Sequence, residues 1–215
     1  MPALAQKIST LLIPMLLNQW LPNAVHFKGT PKLSLEGKAF RIETVEAAGG
    51  YIYLLPEPVT LTKEKGQFRW KWSVQRFPQK VLRLPLTKKT DDFAVRIGLL
   101  LSDGTSKISL PSTLQAKLNP AHPLSYVLFY CASPQKETTP VCEQSPYQGN
   151  FVNCMKRASG TRESNERFPW RDLASVEKVE ASTSLQVIGV WLFADSDNNG
   201  TRSEAHVSGM ELFGF

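Results

Sequence analysis

Gln67-Phe-Arg-Trp-Lys-Trp-Ser-Val74 places Phe68, Trp70, Trp72 and Val74 on one side of the chain and Arg69, Lys71 and Ser73 on the other. Strict alternation is the period of a strand, whose successive side chains leave opposite faces of a sheet. One apolar and one polar face describe a half-buried antiparallel strand. Reading outward, Phe40–Glu46 alternates in the same way and ends at Gly49-Gly50. Tyr51–Leu55 and Val59–Thr62 follow as separate strands, divided by Pro56 and Pro58. Phe93–Leu101, Ser125–Cys131, Phe151–Met155 and Ala205–Phe213 continue the series, and the apolar run Leu185–Phe193 fits a central strand. Helical signals are confined to Ile8–Trp20, shortened or kinked by Pro14, and to Pro169–Glu177. The expectation is all-β: a two-sheet antiparallel β-sandwich of jelly-roll type. Residues 1–24 read as an amino-terminal segment with a short helix, and 25–215 as one sandwich domain without linker or repeat.

Composition agrees. An apolar fraction of 42% supplies a sizeable core, and 15 Pro with 13 Gly spread along 215 residues suit many short strands joined by turns. Lys and Arg total 25 against 19 Asp and Glu, a net charge of +6. Those charges are scattered and interleaved with acids, with no basic helix or RNA-binding signature, so a solvated surface is expected and nucleic acid is not. Ala3-Leu4-Ala5 has the small-x-small form of a signal-peptidase site, which points to a periplasmic or secreted protein. Leu11–Leu21 is interrupted by Pro14, Asn18 and Gln19 and is too short to cross a bilayer, which takes about 20 residues. Cys131, Cys142 and Cys154 lack zinc spacing; in an oxidising compartment two of them would bridge, with the pairing undetermined by sequence.

Five segments occur in a fixed order: FRWKWSV at Phe68–Val74, TDDFAVRIGLLL at Thr90–Leu101, LSYVLFY at Leu124–Tyr130, NERFPWRDL at Asn165–Leu173, and GVWLFADSDNNGTRSEAHVSGMELF at Gly189–Phe213. Together they resemble the bacterial domain-of-unknown-function family 3047, from about Phe40 to the end of the chain. The resemblance implies exported bacterial proteins with a β-sandwich shaped like a carbohydrate-binding module, and it points to no particular activity. The cysteines lie outside the family pattern.

Three constellations could carry chemistry. Asp195-Ser-Asp-Asn-Asn-Gly200 alternates oxygen donors before a glycine, as a calcium loop does. Asp195, Asp197, Asn199, Thr201 and Glu204 are the candidate ligands of a structural calcium, and a plain polar hairpin turn is the competing reading. Asp92 and Arg96 share a strand face and could pair; Asp91 or Asp92 with Asp195 or Glu204 could form the two carboxyls of a glycosidase. Tyr126, Tyr130, Tyr147 and Trp170 are the aromatic candidates for stacking on a sugar, whereas Trp70, Trp72 and Trp191 belong to the core. No Gly-x-Ser-x-Gly, Gly-rich phosphate loop or His-Glu-x-x-His occurs. The expectation is therefore a non-catalytic module that binds a glycan or another cell-envelope component, or joins an envelope assembly. The alternative is a glycoside hydrolase or lyase using Asp91 or Asp92 with a second carboxylate.

Overall fold

The computed structural model describes residues 10–24, 29–78, 85–109, 112–134, 141–158, 163–167, 169–179, 184–197 and 201–214. Among the described residues thirteen strands follow in chain order: β1 (Thr10–Leu12), β2 (Leu21–Ala24), β3 (Lys32–Glu36), β4 (Ala39–Val45), β5 (Ala48–Leu61), β6 (Gln67–Arg76), β7 (Phe93–Ser102), β8 (Tyr126–Ser133), β9 (Val141–Gln144), β10 (Phe151–Arg157), β11 (Glu163–Arg167), β12 (Leu185–Asp195) and β13 (Arg202–Phe213). Two short helices, α1 (Ser112–Gln115) and α2 (Pro169–Ala174), stand in the connections.

The strands form two sheets. The smaller runs β11-β6-β13-β4-β3, with β1 beside β13; the larger runs β2-β5-β12-β7-β8-β10-β9. Pairing is antiparallel except between β8 and β10, which run parallel. The expected jelly-roll sandwich is therefore observed.

The alternation of β6 does what its sequence demands. Phe68, Trp70, Trp72 and Val74 are buried between the sheets, facing Ile97, Leu99, Leu128, Tyr130, Val190 and Leu192 in one cluster. The Trp70 and Tyr130 rings lie 4.7 Å apart at their centroids. Each large side chain removed from water contributes about 1.5–3 kcal/mol before the entropy of ordering is counted.

A second apolar cluster covers the other face of the larger sheet. Phe129, Trp191, Phe193, Leu100 and Val127 meet Leu86, Ile108, Leu114, Leu118 and Leu124 from the connections that lie over it. All ten residues of β7 are buried as a result, which explains why TDDFAVRIGLLL loses its alternation.

Three boundaries differ from the sequence reading. Of the helix expected over Ile8–Trp20, the described part, residues 10–20, holds only one 3-10 turn at Leu17–Gln19, preceded by β1; Pro14 cannot supply the amide that a continuous helix requires. The two strands anticipated around Pro56 and Pro58 are one, β5. Leu54 pairs with Gly189 and Val59 with Val187, so residues 55–58 bulge out opposite Ile188, where prolines break no ladder bond. β5 also begins before Gly50, where a Cβ would lie 2.0 Å from the Leu192 carbonyl oxygen; glycine there permits the close approach to β12.

Candidate functional site: a buried carboxyl cluster around Arg96

β7 and β12 are antiparallel neighbours, with Arg96 opposite Phe193 and Phe93 opposite Asp195. The end of β12 and the approach to β7 therefore meet at the same edge of the larger sheet. Asp91 and Asp92, immediately before β7, come together there with Asp195, and one oxygen from each carboxyl lies within 4.8 Å of the others. All three are enclosed, at 1%, 8% and 6% exposure.

Arg96 stands among them. Its Nη2 donates to the Asp91 carbonyl oxygen and reaches Asp195 Oδ2 at 3.2 Å and Asp91 Oδ2 at 3.4 Å. Phe93, Phe193 and Phe129 surround the guanidinium at 4.6, 5.1 and 5.9 Å from their ring centroids. The cation-π geometry and the two ion pairs explain how a charge is tolerated in so apolar a place.

One guanidinium cannot neutralise three carboxylates. Burial, opposed by Arg96 and reinforced by the charges of Asp91, Asp197 and Asp92, pushes Asp195 up to about 8. Burial likewise raises Asp91, against the pull of Arg96. Asp195 is thereby shifted toward its protonated form, beside carboxyl groups that share one cation.

Further polar groups occupy the same sheet face. The row Trp191–Gly98–Phe129–Asn153–Glu143 crosses β12, β7, β8, β10 and β9. Among the described residues, Arg96 Nε, Asn153 Nδ2 and Trp191 Nε1 are buried without a hydrogen-bond partner. Cys131, opposite Arg96, is a free buried thiol that burial pushes up to about 12.

Asp92 and Arg96, anticipated as a pair, lie in the same cluster, but the ion pairs of Arg96 run to Asp91 and Asp195. The calcium candidates are dispersed. The Asp195 carboxylate faces Arg96, and its Oδ1 accepts from the Asp197 amide at 3.4 Å. The Thr201 carbonyl accepts from Glu46 N, and Glu204 pairs with Arg41 at 2.9 Å on the smaller sheet. Asn199 lies outside the described residues.

The aromatic candidates also differ from expectation. Tyr126, Tyr130 and Trp170 are buried, because the face that Tyr126 and Tyr130 share is the one packed between the sheets. Tyr130 donates to Asp172 Oδ2 at 2.7 Å. Only Tyr147 of the four is exposed, with its hydroxyl donating to the Lys88 carbonyl. Cys142 and Cys154 form the disulfide. Asn153, Glu143 and the phenylalanine cage escaped the sequence reading; the two-residue spacing of Phe193 and Asp195 was the available signal.

A family model described as protein of unknown function (DUF3047) matches residues 26–211. No protein with a curated description matches. Among solved structures, the native family 12 xyloglucanase from Bacillus licheniformis is 9% identical with a TM-score of 0.50, covering 96% of this chain and 99% of that one. Endoglucanase Cel12A from Rhodothermus marinus is 11% identical, with a TM-score of 0.45 and coverage of 93% and 98%. The xyloglucanase domain of NopAA from Sinorhizobium fredii is 6% identical, with a TM-score of 0.46 and coverage of 90% of both chains. The matched sandwiches are those of glycoside hydrolases, and this overturns the expectation of a non-catalytic binding or envelope-assembly module.

Proposed function

This chain belongs to the DUF3047 family, and from that premise we propose that it is a carbohydrate-active enzyme, a glycoside hydrolase working through the Asp91, Asp92 and Asp195 carboxyls. The observation that carries the reading is their approach within 4.8 Å around Arg96. Retaining glycosidases hold two carboxyl groups about 5–5.5 Å apart, one protonated to donate to the leaving oxygen and one ionised to attack the sugar. Asp195, raised by burial, is the proton donor in this scheme. Asp92 is the nucleophile, being the least enclosed of the three. Asp91 and Arg96 are positioning residues, since the guanidinium fixes Asp91 and Asp195 at once.

The unpartnered donors of Asn153 and Trp191 support a ligand rich in hydroxyl acceptors, which a polysaccharide is. The sandwich shared with a xyloglucanase supplies the architecture but not the chemistry. The Cys142–Cys154 disulfide supports an exported setting, periplasmic or secreted.

Release of reducing ends from xyloglucan and mixed β-glucans by the purified chain tests the proposal, with Asp92→Asn and Asp195→Asn as controls of matched fold. Each variant should lose at least a hundredfold in rate. Turnover unchanged in both, or no product from any glycan, would refute it.

A further inference from the structure

The segment that delivers two members of the carboxyl cluster packs Leu86 into the apolar cluster that also holds the Phe93, Phe129 and Phe193 rings around Arg96. Residues 85–92 lie over the outer face of the larger sheet, with Leu86 buried in the apolar cluster of that face and Thr87, Lys88 and Lys89 exposed. A tight turn organises the segment, Thr90 N donating to the Thr87 carbonyl at 2.9 Å and Thr87 N to Thr90 Oγ1 at 3.0 Å.

Two polar contacts fasten this turn to the hairpin of β9 and β10. Glu143 Oε2 accepts from Leu86 N at 2.9 Å. Tyr147 donates to the Lys88 carbonyl at 3.0 Å, and the Lys88 ammonium sits 5.4 Å from the Tyr147 ring centroid. The hairpin is itself anchored: Cys142 and Cys154 are directly opposed partners joined by the disulfide, next to Glu143. A fixed support, two exchangeable side-chain contacts and a short exposed turn leading into an enclosed polar site together make a latch.

We propose that residues 85–90 are a lid beside the Arg96 cluster, latched shut by Glu143 and Tyr147 on the disulfide-anchored hairpin. Release of the latch lifts Leu86 from the apolar face while Asp91 stays paired with Arg96. That movement uncovers the carboxyls together with Cys131. The latch contacts are of the kind that solvent or a polysaccharide's hydroxyl groups can replace, whereas the disulfide keeps the support in place while the lid moves. The lid regulates the site of the proposed hydrolase and in that sense rests on that reading, yet its motion is measurable without any substrate.

The test uses the full chain and the variants Glu143→Ala, Tyr147→Phe and the two combined. Tyr147→Phe removes one hydroxyl from an exposed ring, so it reports even if Glu143→Ala fails to fold. Hydrogen exchange at the amides of Leu86 to Thr90, and alkylation of Cys131 by iodoacetamide, should accelerate several-fold in Tyr147→Phe and at least tenfold in the double variant. The amides of Leu99 to Leu101 in β7 should keep the rates of the unaltered chain. Unchanged exchange over 86–90, or equal acceleration in β7, would overturn the lid. Accelerated exchange without glycan cleavage would retain the lid and sink the hydrolase instead.

Discussion

Replacing Asp195 by Asn converts the electrostatics of the cluster into a measurable slope. A carboxyl held at about 8 in the folded protein and near 3.9 in the unfolded chain binds more protons when folded at every pH between those values. Its favourable contribution is complete below the unfolded value and is lost as pH rises toward the folded one. Each pH unit in that window removes about 1.4 kcal/mol, so the step from pH 5 to pH 7 removes about 2.7 kcal/mol through this group. At 6% exposure the side chain has little solvent to screen it. Asn resembles the protonated acid in shape and cannot ionise, so Asp195→Asn should lose that slope while the remaining titrations stay common to both proteins. Urea unfolding of both chains at pH 5, 6 and 7 gives the comparison. The variant should gain about 2–3 kcal/mol relative to the unaltered protein between the two ends of the range. A relative change below about 0.5 kcal/mol would mean that Asp195 is ionised beside Arg96 throughout. The assignment of Asp195 as proton donor would fall with it.

Two other substitutions probe the scaffold. Cys142→Ser with Cys154→Ser removes a cross-link closing a 12-residue separation and should lower stability by about 3 kcal/mol in urea melts; an unchanged midpoint would show that the hairpin needs no covalent anchor. Gly98→Ala would set a Cβ 2.7 Å from the Phe129 ring, and the displaced ring should cost about 1–3 kcal/mol in thermal or urea unfolding. A neutral Gly98→Ala would mean that Phe129, which helps to enclose Arg96, has room to move.

Three carboxyls around one cation explain a division of proton-donating and attacking roles, but their burial would leave the chemistry without a substrate. A latch on Glu143 and Tyr147 accounts for both conditions: closed, it keeps Asp195 in the apolar surroundings that raise it; open, it gives a polymer access. The network of Arg41 with Glu36, Glu43 and Glu204, partly open to solvent, is the contrasting case. Arg41 holds Glu204 below its usual value there, and such solvent-facing pairs on the smaller sheet stabilise locally.

Local sequence determined the strands. Alternation in Gln67–Val74 and Ala39–Val45, and the apolar run of Leu185–Asp195, dictate which residues face a neighbour because side chains along a strand leave opposite sides in turn. Helical periodicity over Ile8–Trp20 misled, because it cannot weigh the missing amide of Pro14 or the pairing that draws Thr10–Leu12 onto β13. What remained for the tertiary structure was which apolar face meets which. Tyr126 and Tyr130 share a face in either arrangement, yet only the packing of two sheets decides that this face is the interior. The same holds for Asp92, Arg96 and Asp195: the chain separates Arg96 from Asp195 by 99 positions, and only the register of β7 against β12 joins them. Proximity across a sheet is a property of strand order and register, which depend on the whole fold, whereas alternation within a strand is written in a few consecutive residues.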